Sequence, residues 1–174
     1  DRLEYGVKPE VETYLLDEKD YVQFRVGIKP WALMNLWQGA SLYARYDVPF
    51  YSNIESSVAP PPDAVRSDIA NYLDRSYSFE KLMVDQAVRL GERTFARLSA
   101  GYLEKMYAGA GGEILTYVGD GRLALGLEAD YGLKREPGAQ FDLTGQENYT
   151  VFGNVYYSYP ELGLSANAKF GRFL

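Results

Sequence analysis

The sequence predicts an all-β fold: an antiparallel up-and-down β-barrel of the outer-membrane type. Three observations predict it: apolar and polar residues alternate with period two over long runs, tyrosine is abundant, and turn signals separate the runs. The runs span about 9–13 residues, close to what a tilted strand needs to cross a bilayer and longer than soluble strands usually are. About eight strands are countable, enough for a small barrel or for part of a larger one.

Taken in order, Tyr5 to Leu15 sets Tyr5, Val7, Val11 and Leu15 against Gly6, Lys8, Glu10 and Glu12. From Val22 to Ile28, Val22, Phe24, Val26 and Ile28 oppose Gln23, Arg25 and Gly27. Leu36 to Tyr46 follows the pattern less cleanly. In Phe95 to Tyr102, Ala96, Leu98, Ala100 and Tyr102 oppose Arg97, Ser99 and Gly101. The clearest run is Leu123 to Leu133, where Leu123, Leu125, Leu127, Ala129, Tyr131 and Leu133 face away from Ala124, Gly126, Glu128, Asp130 and Gly132. Leu162 to Phe170 repeats it, with Gly163, Ser165, Asn167 and Lys169 on the polar face. Successive side chains of a strand point to opposite faces, so each run has one apolar and one polar face. A soluble sheet with one wet face alternates in the same way. Strand length, and the Gly and Ala that suit a curved wall, favour the barrel.

Turns are expected at Asp17-Glu18-Lys19-Asp20, Gly91-Glu92-Arg93, Gly119-Asp120-Gly121 and Ser158-Tyr159-Pro160-Glu161. Asp-Gly supports the positive φ of a primed hairpin turn. A long connection at about 48–76 holds Pro60-Pro61-Pro62, followed by Asp63 to Leu73, which could make a short helix. Such a length suits a surface loop, a linker or a segment folded into the lumen. Gly138 to Glu147 reads as a second, polar loop. Leu103 to Gly112 loses the alternation, and its Gly109-Ala110-Gly111-Gly112 reads first as a Gly-rich connection, second as a bulge turning into the lumen.

Residues 1–174 are read as one β-barrel domain or a fragment of one. The chain opens into a strand-like pattern without a signal peptide, and Phe170-Gly171-Arg172-Phe173-Leu174 stops in mid-strand, which suits a fragment of something longer.

Tyrosine supplies 16 of the aromatic residues. Its ring sits among lipid tails while its hydroxyl reaches water, as in the girdles of membrane barrels. The net charge of −6 and the lack of a basic patch exclude nucleic acid as an expected partner. There is no His and no Cys, so neither a Ser-His-Asp triad nor a Cys-His pair nor a thiolate metal site is possible within the chain. Glu128 and Asp130 share one face about 6–7 Å apart, a spacing open to a glycosidase pair, yet acidic residues on a wet strand face are commonplace. No EF-hand spacing or phosphate loop is present. No catalytic residue, metal or cofactor is expected.

The residues expected to line a lumen are Arg25, Lys29, Arg97, Glu128, Asp130, Asn167 and Lys169. They could hydrogen-bond a hydrated sugar chain; opposite charges that simply pair across a narrow lumen are the plainer reading.

The stretch Arg97-Leu98-Ser99-Ala100-Gly101-Tyr102-Leu103-Glu104-Lys105-Met106-Tyr107-Ala108-Gly109-Ala110-Gly111-Gly112-Glu113-Ile114-Leu115 resembles a block of the YjbH/GfcD-type outer-membrane proteins found with exopolysaccharide and group 4 capsule genes. Val65-Arg66-Ser67-Asp68, the Leu123 to Lys134 strand and Lys169-Phe170-Gly171-Arg172-Phe173-Leu174 are similar too. The resemblance covers about half the chain, from Arg66 onward. It implies an outer-membrane barrel serving exopolysaccharide or capsule production or export, with no catalytic residues to carry over. The implied partners are outer-membrane lipid, polysaccharide and other secretion-system proteins. The alternative, from another class, is a soluble Tyr-rich β-sandwich or barrel that binds a carbohydrate or small ligand.

Overall fold

The structure is a computed structural model and describes residues 2–16, 20–53, 72, 77–139 and 141–173. It contains nine strands: β1 Leu3–Leu16, β2 Asp20–Trp37, β3 Ala40–Ser52, β4 Ser78–Arg89, β5 Thr94–Tyr102, β6 Tyr107–Val118, β7 Leu123–Arg135, β8 Leu143–Tyr159 and β9 Leu164–Phe173. They form one antiparallel sheet in strictly sequential order, so every strand pairs with its neighbours in the chain. The all-β, up-and-down expectation holds with nine strands rather than eight. The sheet is not closed: β1 and β9 are its two edges.

The pairing register is strongly staggered. Tyr5, near the start of β1, leads across the sheet through Ala32, Ala44, Leu82, Tyr102 and Ala108 to Leu133, near the end of β7. A path perpendicular to the strands therefore climbs from one end of the sheet to the other. This is the shear that tilted strands of a barrel wall require.

Four short connections share one end. Gln38-Gly39, Leu90–Arg93, Gly119–Arg122 and Pro160–Gly163 join β2–β3, β4–β5, β6–β7 and β8–β9. The Gly39 φ of +78° lets β2 reverse in two residues. That turn breaks the run read from Leu36 to Tyr46, whose alternation was imperfect for this reason. The expected turns at Gly91 and Gly119 are present, and the Pro160 link takes the form of a 3-10 turn, so β9 begins at Leu164 rather than Leu162.

Other boundaries move as well. β3 continues through Asp47 to Ser52, so the long connection covers 53–77. The helix read over Asp63 to Leu73 lies outside the described residues except for Tyr72, which has helical backbone. β8 starts at Leu143, which shortens the polar loop read from Gly138 to Glu147. The Gly-rich run is part of β6, and the connection is Leu103–Met106. Glycine suits this strand interior because neighbouring backbones press against it. A Cβ at Gly109 would lie 1.9 Å from the Tyr131 carbonyl oxygen, and one at Gly101, whose φ is +132°, would lie 2.1 Å from that of Leu82.

The faces follow the alternation. Val7, Val11, Leu98, Ile114, Leu125, Leu127 and Phe170 are exposed on one face. The opposite face carries the buried Gln23, Arg25, Lys29, Asp47 and Asn154. Exposed or half-buried aromatics flank the aliphatic band, with Tyr5, Trp37, Tyr157 and Tyr159 towards the short-turn end. Phe24 and Tyr51, 5.2 Å apart, and Tyr131 and Tyr149, 5.0 Å apart, lie towards the other. Trp37 reaches the outward row through a bulge after Asn35, and its indole donates to the Gln86 side chain at 2.8 Å.

Candidate functional site: the charged inner face

Alternation turns every second side chain of each strand to the inner face, and two groups of charges form there. The first joins β1 to β4. Arg25 of β2 lies 2.8 Å from Asp47 of β3 and 3.9 Å from Glu12 of β1. The Lys29 ammonium contacts Glu10 at 2.6 Å, Glu12 at 3.2 Å and Glu80 at 3.4 Å. Arg45 pairs with Glu80 at 2.8 Å. Glu80 is the extra residue of a bulge, since Arg45 faces Lys81 while Tyr46 faces Phe79. A bulge of this kind re-aims a side chain, here into the network.

Lys105, from the β5–β6 turn, completes the group by contacting Asp47 at 2.9 Å and Glu12 at 3.2 Å. Four cations thus face four carboxylates, and the group is neutral as a whole. Lys29 and Arg25 are 5 % and 3 % exposed. Charges this far from water persist only when paired and hydrogen-bonded.

The second group lies across β5 to β9. Glu113 of β6 accepts from Tyr156 at 2.8 Å and from the Asn154 amide at 3.2 Å, and Arg97 stands 3.6 Å away. Glu128 of β7 accepts from Asn154 at 3.0 Å and from Lys169 at 2.9 Å. Lys169 also sits over the Phe152 ring, 4.4 Å from its centroid. Asp130 accepts from the Thr150 hydroxyl at 3.2 Å.

Beside this group the register aligns Met83, Gly101, Gly109, Gly132 and Asn148 across five strands. The three central positions carry no side chain of their own, and the Tyr107 ring lies over Gly132. A cavity of about 350 Å³ lies beside Gly132, lined among others by Lys81, Arg97, Ser99, Asp130, Asn148 and Thr150. Lining of this polarity and size suits a hydrated ligand held by hydrogen bonds.

At the end away from the short turns, Arg135 locks several connections together. It is 1 % exposed, and its guanidinium donates to the carbonyls of Phe79 at 2.8 Å, Lys105 at 3.1 Å and Glu104 at 3.2 Å, while stacking 4.1 Å from the Tyr102 ring. The Tyr72 hydroxyl donates to the Arg135 carbonyl, and Tyr72 packs with Met106 and Tyr107 in a small apolar cluster.

All seven expected lumen residues occupy inner-face positions, but they divide. Arg25 and Lys29 belong to the first group, and Arg97, Glu128, Asp130 and Lys169 to the second. Among the described residues Asn167, opposite Tyr156, joins neither; its amide donates to the Val155 carbonyl at 3.5 Å. The sequence reading missed Asp47, Arg45, Glu80, Lys105 and Arg135. Asp47 falls between the Leu36 to Tyr46 run and the long connection, and Lys105 lies in the stretch that loses the alternation. Glu80 reaches the network through a bulge that no alternation reveals. Glu10 and Glu12 were legible on the polar face of β1 but were not singled out. Among the described residues no group of three or more acidic side chains could hold a metal, and none of their helices is long and apolar enough to cross a membrane.

The family described as "Exopolysaccharide biosynthesis protein YbjH" matches residues 1–174. The "Uncharacterized lipoprotein YjbH" of Escherichia coli (strain K12) is 25% identical over 162 residues, which is 86% of this chain and 22% of that protein. The chain thus spans about a fifth of the length of this curated relative. No solved structure matches. With a single family matched from the first residue to the last, the chain belongs to the YjbH exopolysaccharide biosynthesis family.

Proposed function

We propose that residues 1–174 form part of the wall of an outer-membrane β-barrel that serves exopolysaccharide production or export without catalysing a reaction itself. The observation that carries this reading is the inverted distribution of polarity. Leu125 and Leu127 are 48% and 62% exposed, while Lys29, Arg25 and Asp47 are buried. A soluble sandwich would cover the aliphatic face with a second layer, yet every described strand belongs to one sheet. A bilayer solvates that face, and a lumen solvates the other.

Family membership supplies the exopolysaccharide context. In this reading the cavity beside Gly132 is where a passing glycan meets the wall, with Arg97, Lys81, Asn148 and Ser99 as its hydrogen-bonding groups. A non-catalytic role is consistent with the state of the carboxylates. Glu128 and Asp130 both line the cavity, and each is already engaged by its neighbours, Glu128 by Lys169 and Asn154 and Asp130 by Thr150.

The test is collision accessibility of a nitroxide placed at Leu127 in the full-length protein, reconstituted in liposomes. Lipid exposure gives frequent collisions with oxygen and rare ones with a water-soluble nickel chelate. Rare collisions with both would mean a protein core, and frequent nickel collisions would mean water; either result overturns the membrane reading.

A further inference from the structure

We infer that the β1 and β9 edges are closed by an odd number of further antiparallel strands, supplied by the same polypeptide outside residues 1–174. The inference rests on the barrel reading and adds the way in which the wall is completed. Its starting point is parity. Nine strands in strictly alternating order leave β1 and β9 running in the same direction. Among the described residues each is paired on one side only: β1 with β2, and β9 with β8.

Strands in hydrocarbon cannot keep an open edge, because the N–H and C=O groups along it find no partner in lipid. Three closures are available. If β1 met β9 directly, the contact would be parallel, whereas membrane barrels of this class are antiparallel throughout with an even strand count. If a second copy filled the gap, both copies would enter the membrane in the same orientation. Then β9 of one would meet β1 of the next, again in parallel. Antiparallel pairing between copies would require one of them to be inverted across the bilayer.

Only an odd number of intervening strands lets both edges pair antiparallel, and it makes the total even. The chain length needed is plausible in this family: the matched segment is 22% of the E. coli relative, which leaves most of that protein outside it. The stagger from Tyr5 to Leu133 is the shear that a closed wall of tilted strands carries, so the nine strands fit into such a wall.

The experiment uses the full-length protein in liposomes, cleared of cysteine outside the tested pairs. Val155→Cys with Ala168→Cys, outward neighbours across β8 and β9, is the positive control and should form a disulfide. A panel joining Val7→Cys or Val11→Cys to Ala166→Cys, Ala168→Cys or Phe170→Cys reports on contact between β1 and β9. Amide exchange at Glu10 to Glu12 and at Lys169 to Gly171 reports whether both sides of each edge strand are paired.

The expected result is slow exchange at consecutive amides in both strands, with no disulfide across the panel. A disulfide within one molecule would mean parallel self-closure, and one between molecules would mean a ring of copies. Fast exchange at alternate amides would mean an open sheet. Each of these overturns the inference, and the Leu127 nitroxide on the same sample shows whether the membrane reading falls with it.

Discussion

The Lys105 ammonium lies 3.2 Å from the Glu12 carboxylate, tying the β5–β6 turn to β1 across 93 residues of sequence. No strand pairing links these elements, so the contact fixes how far the sheet curls. It is one edge of a network in which Lys29 serves three carboxylates at once.

Replacing Lys29 by Met is expected to destabilise the fold by about 3–5 kcal/mol, because buried carboxylates then lose a cation that burial obliges them to have. Urea unfolding in liposomes measures it. The double variant Lys29→Met, Glu10→Gln should recover part of the loss, since it removes one of the orphaned charges. A loss under about 0.5 kcal/mol for Lys29→Met would mean that the network is solvated.

Leu127→Arg places a charge on the aliphatic band. In a bilayer it should cost about 2–4 kcal/mol near the midplane. An inward change such as Asn148→Arg should cost much less. On a water-facing surface both would fall within about 0.5 kcal/mol, so equal and small effects would count against the membrane wall.

Gly109→Ala should weaken β6–β7 pairing by about 1–3 kcal/mol, since its Cβ would meet the Tyr131 carbonyl at 1.9 Å. Gly138→Ala, which would meet nothing within 4 Å, is the control. Faster amide exchange in β7 around Gly132, confined to the first variant, is the expected readout.

Arg135→Lys keeps the charge but loses the planar guanidinium that stacks on Tyr102 and whose one terminal nitrogen reaches three carbonyls. A loss of about 1.5–3 kcal/mol is expected. Thermal unfolding in detergent micelles checks it, and wild-type stability in the variant would mean that an ammonium serves these carbonyls as well as the guanidinium does.

Arg97→Ala and Lys81→Ala test the cavity. Neither residue is part of the Lys29 network, so stability should change little. Retention of oligosaccharides made by partial hydrolysis of the producing organism's exopolysaccharide should fall several-fold. Unchanged retention in both variants would remove the cavity from the glycan path.

Much of this architecture is legible in the sequence because period-two patterning is a direct record of which side of a strand each residue faces. Leu125 and Leu127 against Glu128 and Asp130 settle a face without any structure. What alternation does not encode is displacement. The Glu80 bulge and the bulge after Asn35 each shift a residue to the other face. The inward turn carrying Lys105 is invisible because its partners are distant in the chain. Gly109 misled for another reason: glycine usually marks a break, yet here tight backbone packing demands it inside a strand.

The connection at 53–77 gives the sheet a kinetic seam. Turns of two to four residues keep the strands of a hairpin close in the chain, whereas Ser52 at the end of β3 and Ser78 at the start of β4 stand far apart in sequence. Strands β1–β3 and β4–β9 can then zip up independently from their own hairpins. Registration of the β3–β4 ladder, helped by the charge pairs that cross it from Arg45 and Lys29 to Glu80, becomes the step that joins two preformed leaves into one wall.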